Sequence, residues 1–257
     1  MHDSPSTPDP ASADLAAAET ASDPAGVGPV TAGTERLVRS AEQLDAEALR
    51  MPSRCEGWSR GHVLSHLARN ADGLTNLLTW ASTGVETPMY PNAEARTADI
   101  EAGAARGLDE IIDDLRSSAQ RFSAAVAAVP DDAWERQVRL GPGGGGRAIP
   151  ARRVLWQRLQ EVEIHHVDLD TGYLPDNWAP WFVSRALAET LRRFGRRDDV
   201  PALTLVVDGT AERLGSAGGP TVTGAATPVL GWLTGRSAGH ELQVDPPGQL
   251  PTLPAWG

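Results

Sequence analysis

The sequence predicts an α+β protein that is mainly helical. A helical bundle is expected over about residues 31–197 and a small α+β domain over residues 198–257. The stretches before residue 197 carry apolar side chains at the three- and four-residue spacing of amphipathic helices. Short segments rich in β-branched residues follow residue 200, as expected for strands. The change from one pattern to the other predicts a bundle followed by a second, smaller unit.

The charge balance limits the partners that this chain can bind. Its 257 residues contain 23 basic and 34 acidic side chains, which gives a formal net charge of −11. Binding to nucleic acid or to an anionic membrane needs clustered cations, so neither partner is expected. No apolar run approaches the roughly 18 residues of a membrane span, and the N-terminus has neither the basic nor the apolar region of a secretory signal. We therefore expect a cytoplasmic protein.

The absence of lysine and the presence of a single cysteine exclude several kinds of chemistry. There is no lysine, so a phosphate-binding P-loop lysine and a pyridoxal Schiff base are both impossible. The single cysteine, Cys55, excludes an internal disulfide and a metal site made of cysteines alone. Any metal must therefore be held mainly by histidine and carboxylate side chains.

The first elements are predicted from composition and apolar spacing. Residues 1–30 are mostly Ala, Ser, Thr, Pro and Asp, which predicts a disordered tail. A first helix is expected from about Thr34 to Leu44. The segment Gly57–Ser59 resembles a turn that ends in an N-cap serine, and a longer helix should follow it.

The middle of the chain is divided by proline and glycine. Pro88–Pro91 should break the chain, and a long helix is predicted over Ala93–Val129, where Pro130 ends it. Gly141–Gly146 is expected to be a flexible loop. Another helix is expected from near Pro150, a residue suited to a first helical turn, to near Gly172.

The last elements mix helices and strands. A helix is predicted over Pro180–Phe194 and a short one over Ala225–Leu233. Ala202–Asp208 and Thr221–Thr223 are the predicted strands. Pro246–Gly257 should form an extended tail.

One predicted helix concentrates acids and imidazoles. In the segment Gln160–Asp168, Glu161 and His165 are four residues apart, so both lie on one side of the helix at the edge of its apolar face. Asp168 follows on the same stripe. Glu163 falls on the other side and has no imidazole four residues away. A carboxylate and an imidazole stacked in this way can offer two metal ligands.

A third ligand must come from another helix. His62 and His66 are the candidates, and His66 lies nearer the apolar face of its helix. Together His66, Glu161 and His165 form a His₂Glu set, which suits Zn²⁺ with one position left open. His166 has Val162 four residues before it and so lacks a helical partner. The alternative is that these side chains are surface residues or hydrogen-bonded polar groups of the core.

Several segments carry a resemblance to a known family. They are Pro52–Ser59 followed by His66–Ala68, then Leu159–Leu169, and finally Gly231–Arg236. Over about residues 31–240 the sequence resembles the mycothiol-dependent maleylpyruvate isomerase family. The N-terminal domain of that family is a DinB-like four-helix bundle, so the resemblance implies such a bundle followed by the small C-terminal domain.

The resemblance also implies a site. It implies a divalent metal, usually zinc, held by two histidines and one glutamate, which fall on His66, Glu161 and His165. The C-terminal arginine of the family corresponds to Arg236, an expected anchor for the thiol cofactor or the substrate. The alternative for Arg236 is a helix C-terminal cap. Asp168 is a candidate catalytic residue that orients His165, although its place near a helix end favours simple solvation.

The implied reaction uses mycothiol as its thiol cofactor. The thiolate adds to the double bond of maleylpyruvate, rotation follows about the resulting single bond, and elimination gives fumarylpyruvate. Cys55 is then expected to be a small buried side chain rather than the nucleophile. The partners are mycothiol and a small-molecule substrate, and the chain is expected to be a monomer or a weak oligomer. Two alternatives remain: an enzyme that conjugates mycothiol to an electrophile, and a non-catalytic DinB-like regulatory protein.

Overall fold

The computed structural model describes residues 26–216 and 218–256. Residues 1–25, which contain most of the predicted tail, lie outside that part. The helices of the described residues are α1 Val27–Ala41, α2 Arg60–Thr83, α3 Ala93–Ala104, α4 Leu108–Ala128, α5 Arg153–Asp168, α6 Pro180–Phe194 and α7 Ala226–Leu233. The strands are β1 Gln137–Arg139, β2 Ala148–Pro150, β3 Leu203–Val207, β4 Thr210–Leu214, β5 Thr221–Gly224 and β6 Gln243–Asp245.

Helices α1, α2, α4 and α5 pack against one another as a four-helix bundle, and α3 covers α2. β1 and β2 form an antiparallel hairpin, while the second sheet has the order β4-β3-β5-β6 with β3 and β5 parallel. Helix α7 packs against α6. The predicted fold class, mainly α with a small α+β part, is confirmed. Dividing the chain into domains at residue 197 stays a prediction.

The core consists of two apolar clusters that fix the position of α5. The smaller cluster joins all four bundle helices, and both Leu67 of α2 and Val162 of α5 belong to it. The larger cluster runs from the bundle through Phe182 of α6 to Leu205 of β3 and Val229 of α7. Because α5 contributes to both clusters, burial of apolar surface holds it against α2 on one side. On its other side the same effect holds the C-terminal elements against it.

The limits of α2 follow the local rules. Ser59 is the N-cap and its side chain accepts a hydrogen bond from the main-chain N–H of His62, as the turn Gly57–Ser59 predicted. The helix stops at Gly84, whose φ of 75° is a conformation that glycine adopts without steric cost. Within the described residues, no helix has the length and apolar character of a membrane span.

Other helix limits differ from the prediction. The first helix begins at Val27 rather than Thr34, so the predicted tail of residues 1–30 is wrong in its last residues. Val30 is only 4% exposed, so packing holds a glycine- and proline-containing turn in the helix. That helix ends at Ala41, and α5 is shorter at both ends than the predicted span from Pro150 to Gly172.

The predicted long helix Ala93–Val129 is two helices. The break lies at residues 105–107, where Glu110 accepts a hydrogen bond from the N–H of Gly107 and so caps the start of α4. Arg106, in the break, forms an ion pair with Asp114 of α4. These contacts break the helix, although the apolar spacing continues through the break and so predicted a single helix.

Strands were predicted incompletely. The glycine-rich segment Gly141–Gly146 connects β1 to β2, so it is the turn of a hairpin rather than an independent loop. Strands β4 and β6 were also missed. Four of the five residues of β4 are exposed, and β6 has three residues, so neither shows a clear apolar alternation. Residues 246–256 contain no helix or strand, as predicted for the tail, and Trp256 bonds Thr190 of α6.

A close contact between α2 and α3 gives a first prediction. A Cβ atom at Gly103 would lie 2.0 Å from the Oγ of the buried Ser65. We therefore expect Gly103→Ala to lower the free energy of unfolding by about 1–3 kcal/mol, because an overpacked core must shift. Gly28→Ala is the matched control, since no atom lies within 4 Å of its added Cβ. Urea unfolding measures both variants, and equal midpoints would contradict the prediction.

Candidate metal centre

Packing of α2 against α5 brings His66, Glu161 and His165 together. The Nε2 atom of His66 lies 2.9 Å from Oε2 of Glu161, and Nε2 of His165 lies 3.4 Å from the same oxygen. The two imidazole rings are 4.7 Å apart between centroids and nearly perpendicular. His66 is only 4% exposed. Two imidazoles and a carboxylate therefore meet at one sheltered point between the helices.

The spacing of these atoms fits a zinc ion. Ligand atoms of a tetrahedral zinc site, each bound at 2.0–2.1 Å, lie roughly 3.3 Å apart. The three ligand atoms offered by His66, Glu161 and His165 all lie within 4.8 Å of one another. Nitrogen and oxygen donors in a His₂Glu set are those that catalytic zinc sites use with a fourth position open. The triplet chosen from the sequence thus has the donors and the spacing for a divalent metal, and its ligand role stays a prediction.

The electrostatics of the triplet favour charge on the carboxylate. Burial by itself raises the pKa of Glu161, but hydrogen bonds with His165 and His66 outweigh it and hold the pKa well below its ordinary value. Burial lowers the pKa of His66. Burial also opposes a charge on His165, yet its bonds to Asp168, Cys55 and Glu161 raise its pKa well above 6.5. A metal at this point must therefore displace a proton from His165.

Asp168 holds the far side of the His165 ring. Its Oδ2 accepts a hydrogen bond from Nδ1 of His165 at 2.8 Å, and the residue is 1% exposed. The expectation that Asp168 is merely solvated is therefore wrong, because the end of α5 is covered by the C-terminal segment that carries Arg236. Once the Nε2 proton has left, the proton that Asp168 holds on Nδ1 leaves the Nε2 lone pair free, which is the arrangement that a hydrogen-bonded carboxylate gives to a metal-binding histidine.

Arg236 completes this contact across the structure. Its Nε and Nη2 donate to the two carboxylate oxygens of Asp168 at 3.0 and 2.5 Å. Its Nη1 donates to the main-chain carbonyl of Thr234 at the end of α7, so the expected cap-like contact also exists. Binding of thiol or substrate by Arg236 stays a prediction, and the structure shows that its charge already faces the carboxylate of Asp168.

Cys55 lies beside the same carboxylate. Its Sγ is 3.2 Å from Oδ2 of Asp168 and 3.9 Å from Nδ1 of His165, and the side chain is half-buried. Both contacts are on the side of His165 opposite the Nε2 atom that faces Glu161. These contacts account for the half-burial of the thiol, and the expectation that Cys55 is not the nucleophile stays a prediction.

The remaining candidates point elsewhere. His62 lies at the start of α2, where its Nδ1 accepts from the N–H of Ser59 and its Nε2 lies 3.1 Å from Glu101. His166 turns towards α1, where Nε2 is 2.8 Å from Oγ of Ser40. His240 is exposed.

Glu163 also occupies the opposite side of α5. It is 5% exposed and is bonded to Arg36 and to the hydroxyl of Tyr173. The prediction that Glu163 has no imidazole partner is in accord with these contacts. Glu161 and His165 thus face α2 while Glu163 and His166 face away, as a 3.6-residue period gives.

Two residues beside the triplet were not found from the sequence. Arg96 of α3 donates to Nδ1 of His66 at 3.3 Å, and its guanidinium lies 5.7 Å from the ring of Tyr90. Trp58 lies 5.4 Å from the ring of His66. A His66 that binds metal through Nε2 carries its proton on Nδ1, so Arg96 has to withdraw from that atom. Nothing in the weakly patterned sequence of α3 marks Arg96.

The fold and the site together define a helical-bundle protein with a candidate His₂Glu metal centre between two bundle helices and a small α+β unit behind it. A family model described as the mycothiol maleylpyruvate isomerase N-terminal domain matches residues 30–170. The chain therefore belongs to the mycothiol maleylpyruvate isomerase family, and the resemblance found in the sequence is confirmed.

Solved structures agree with this assignment. The chain is similar to the crystal structure of the mycothiol-dependent maleylpyruvate isomerase, with a TM-score of 0.82, and to that of a histidine-to-alanine mutant of it, with a TM-score of 0.81. Each is 29% identical in sequence, over 89% of this chain and 95% of the other chain. Curated proteins give no match.

Proposed function

We propose that this protein is a metal-dependent enzyme that uses mycothiol to isomerise maleylpyruvate, or a close analogue, to the fumaryl form. The observation that carries the proposal is the meeting of His66, Glu161 and His165 at ligand spacing in a member of this family. No feature of the described residues favours the conjugating or the regulatory alternative. A cytoplasmic location and a monomeric or weakly oligomeric state stay predictions from the sequence.

A divalent metal bound here, which we expect to be zinc, supplies a charge that keeps a coordinating thiol deprotonated at neutral pH. The residues of the chain prepare that position. Asp168 holds a proton on Nδ1 of His165, so Nε2 is the atom that gives up its proton to bind the metal. Arg236 balances the charge of Asp168. Burial of His66 keeps its imidazole neutral, which is the form that binds metal.

The isomerisation changes only the configuration of the substrate's double bond, from cis to trans. The sulfur forms a bond to one alkene carbon while the electron pair moves onto the conjugated carbonyl oxygen. Rotation follows about the carbon–carbon single bond, and return of the electron pair expels the thiolate. A cation near the developing oxyanion and the carboxylates lowers the energy of this path.

Arg96 is the cation best placed for that role. It lies beside His66 and, within residues 26–216 and 218–256, forms no ion pair with a carboxylate, whereas Arg236 is paired with Asp168. We expect Arg96→Ala to raise KM for the dianionic substrate about tenfold or more, through loss of a charge-assisted hydrogen bond, with bound metal unchanged. Steady-state kinetics and metal analysis measure both quantities.

A rescue variant and a control test the prediction for Arg96. Arg96→Lys should recover part of the lost affinity because it restores the charge without the planar fork. Arg121→Ala is the control, since Arg121 is an exposed arginine of α4 that pairs with Asp72. An unchanged KM in Arg96→Ala would remove the substrate-binding role.

The direct test of the proposal is an assay of the zinc-loaded protein. With mycothiol and maleylpyruvate we expect fumarylpyruvate to form, and omission of either metal or mycothiol should abolish the reaction. Formation of no fumarylpyruvate by protein that holds one metal per chain would overturn the isomerase proposal. Binding of mycothiol in calorimetry would then direct attention to other electrophiles.

A further inference from the structure

A cavity of about 530 Å³ lies between α1 and α4, away from the metal centre. Its volume is in the range of small-molecule sites. Apolar side chains of both helices form much of its wall, and none of the three predicted metal ligands lines it. The apolar lining residues are Val30, Val38, Ala119 and Phe122.

The cavity is also lined by a buried cation, Arg158 of α5. Arg158 is 1% exposed. Its Nη1 donates to two uncharged acceptors, the main-chain carbonyl of Leu67 at 2.8 Å and Oδ1 of Asn70 at 2.9 Å. Its Nη2 is buried and has no hydrogen-bond partner. In the part of the chain that the structure describes, no carboxylate forms an ion pair with this guanidinium.

Burying the charge of Arg158 without a counter-ion is unfavourable. Burial lowers the pKa of Arg158 to about 10, so the guanidinium still carries its charge at neutral pH. Removing a charge from water is unfavourable unless a counter-ion or a full set of hydrogen bonds replaces the lost hydration. Glu161, three residues further along α5, attracts the charge of Arg158, but its hydrogen bonds go to His66 and His165. A ligand carboxylate would supply what the protein leaves out.

We propose that this cavity binds an organic monocarboxylate, with the carboxylate on Arg158 and the apolar part against Val38 and Phe122. Arg39 and Arg116 also line the cavity, but Arg39 is paired with Glu35, which lines it too, and Arg116 is paired with Glu42 and Asp113, so Arg158 alone carries the argument for an anion. Because the Nη2 atom is buried and unpaired, this binding requires the lining side chains to shift far enough for the carboxylate to reach it. This site is separate from the metal centre and does not depend on the proposed isomerase activity.

The test compares an acid with its neutral counterpart. Octanoate and octanamide are titrated separately into the full-length protein by calorimetry, both with and without zinc. We expect octanoate to bind about tenfold or more tightly than octanamide, because only the acid gains a charge-assisted hydrogen bond, and zinc should not change the ratio. Absence of octanoate binding, or equal affinity for the two compounds, overturns the proposal.

Variants locate the binding. Arg158→Met should abolish the preference for the acid while octanamide binding remains. Ala119→Phe keeps Arg158 and fills the cavity, so both ligands should lose affinity, and this variant decides if Arg158→Met does not fold. Arg121→Met, an arginine change on α4 outside the lining residues, is the control and should bind as the unaltered protein does. Preference for octanoate that persists in both Arg158→Met and Ala119→Phe places the acid elsewhere.

Discussion

Replacing His66, Glu161 or His165 singly with alanine is expected to remove most of the bound divalent metal and, with it, the mycothiol-dependent activity. Each change deletes one of three ligands, and two remaining side chains do not hold a catalytic metal firmly. The measurement is metal per chain after zinc loading and dialysis, followed by the isomerase assay. The fold should persist, as judged by circular dichroism, because a core of this size does not depend on a metal.

The neighbouring histidines are the controls. His62→Ala and His166→Ala should keep their metal, because His62 is bonded at the start of α2 and His166 faces α1. Should His166→Ala lose the metal while His165→Ala retains it, the helical phase of α5 would be wrong by one residue. The Glu161 assignment would then fail as well.

Breaking the contact between Asp168 and Arg236 is expected to have the second large effect. Arg236→Ala leaves the carboxylate of Asp168, whose side chain is 2% exposed, with one cationic partner fewer. We expect a loss of about 3 kcal/mol in the free energy of unfolding, measured by urea denaturation. Arg54→Ala is matched to it, since Arg54 forms an exposed pair with Asp170 and should cost less than about 1 kcal/mol. Equal losses in the two variants would contradict the prediction.

Asp168→Asn separates the effect on the metal from the effect on stability. The amide keeps the shape of the side chain but lacks the charge that holds His165 in one tautomer. Metal affinity or activity should fall about 10- to 100-fold. Competition with a zinc chelator measures the affinity directly, and an unchanged affinity would show that Asp168 serves only to hold Arg236.

The parts of the site that were predictable depend on local geometry. Glu161 and His165 lie four residues apart in one helix, and the helical period by itself places them side by side. The same period explains why Glu163 and His166 face away from them. Ser59 was also predictable, because N-capping depends on the residues next to it in the chain.

The parts that escaped prediction depend on contacts between distant residues. The place of Asp168 at a helix end predicts a solvated side chain, yet Arg236, 68 residues later, covers it. Arg96 reaches His66 from a separate helix whose sequence shows no motif. The short strands β1, β4 and β6 carry too few alternating residues to be recognised, and their partners in the sheets give them their form.

The sequence by itself determined the helical bundle, the donor types of the candidate metal site and the phase of α5, because all three follow from composition and from a fixed repeat along the chain. The choice of His66 needed its place on an apolar face, and only the packing of α2 against α5 shows that it meets Glu161. Only the tertiary structure showed that Asp168 is buried, that Arg236 pairs with it, and that one nitrogen of Arg158 has no hydrogen-bond partner. Burial and charge pairing depend on tertiary contacts, because residues far apart in sequence become neighbours only when the apolar faces have packed.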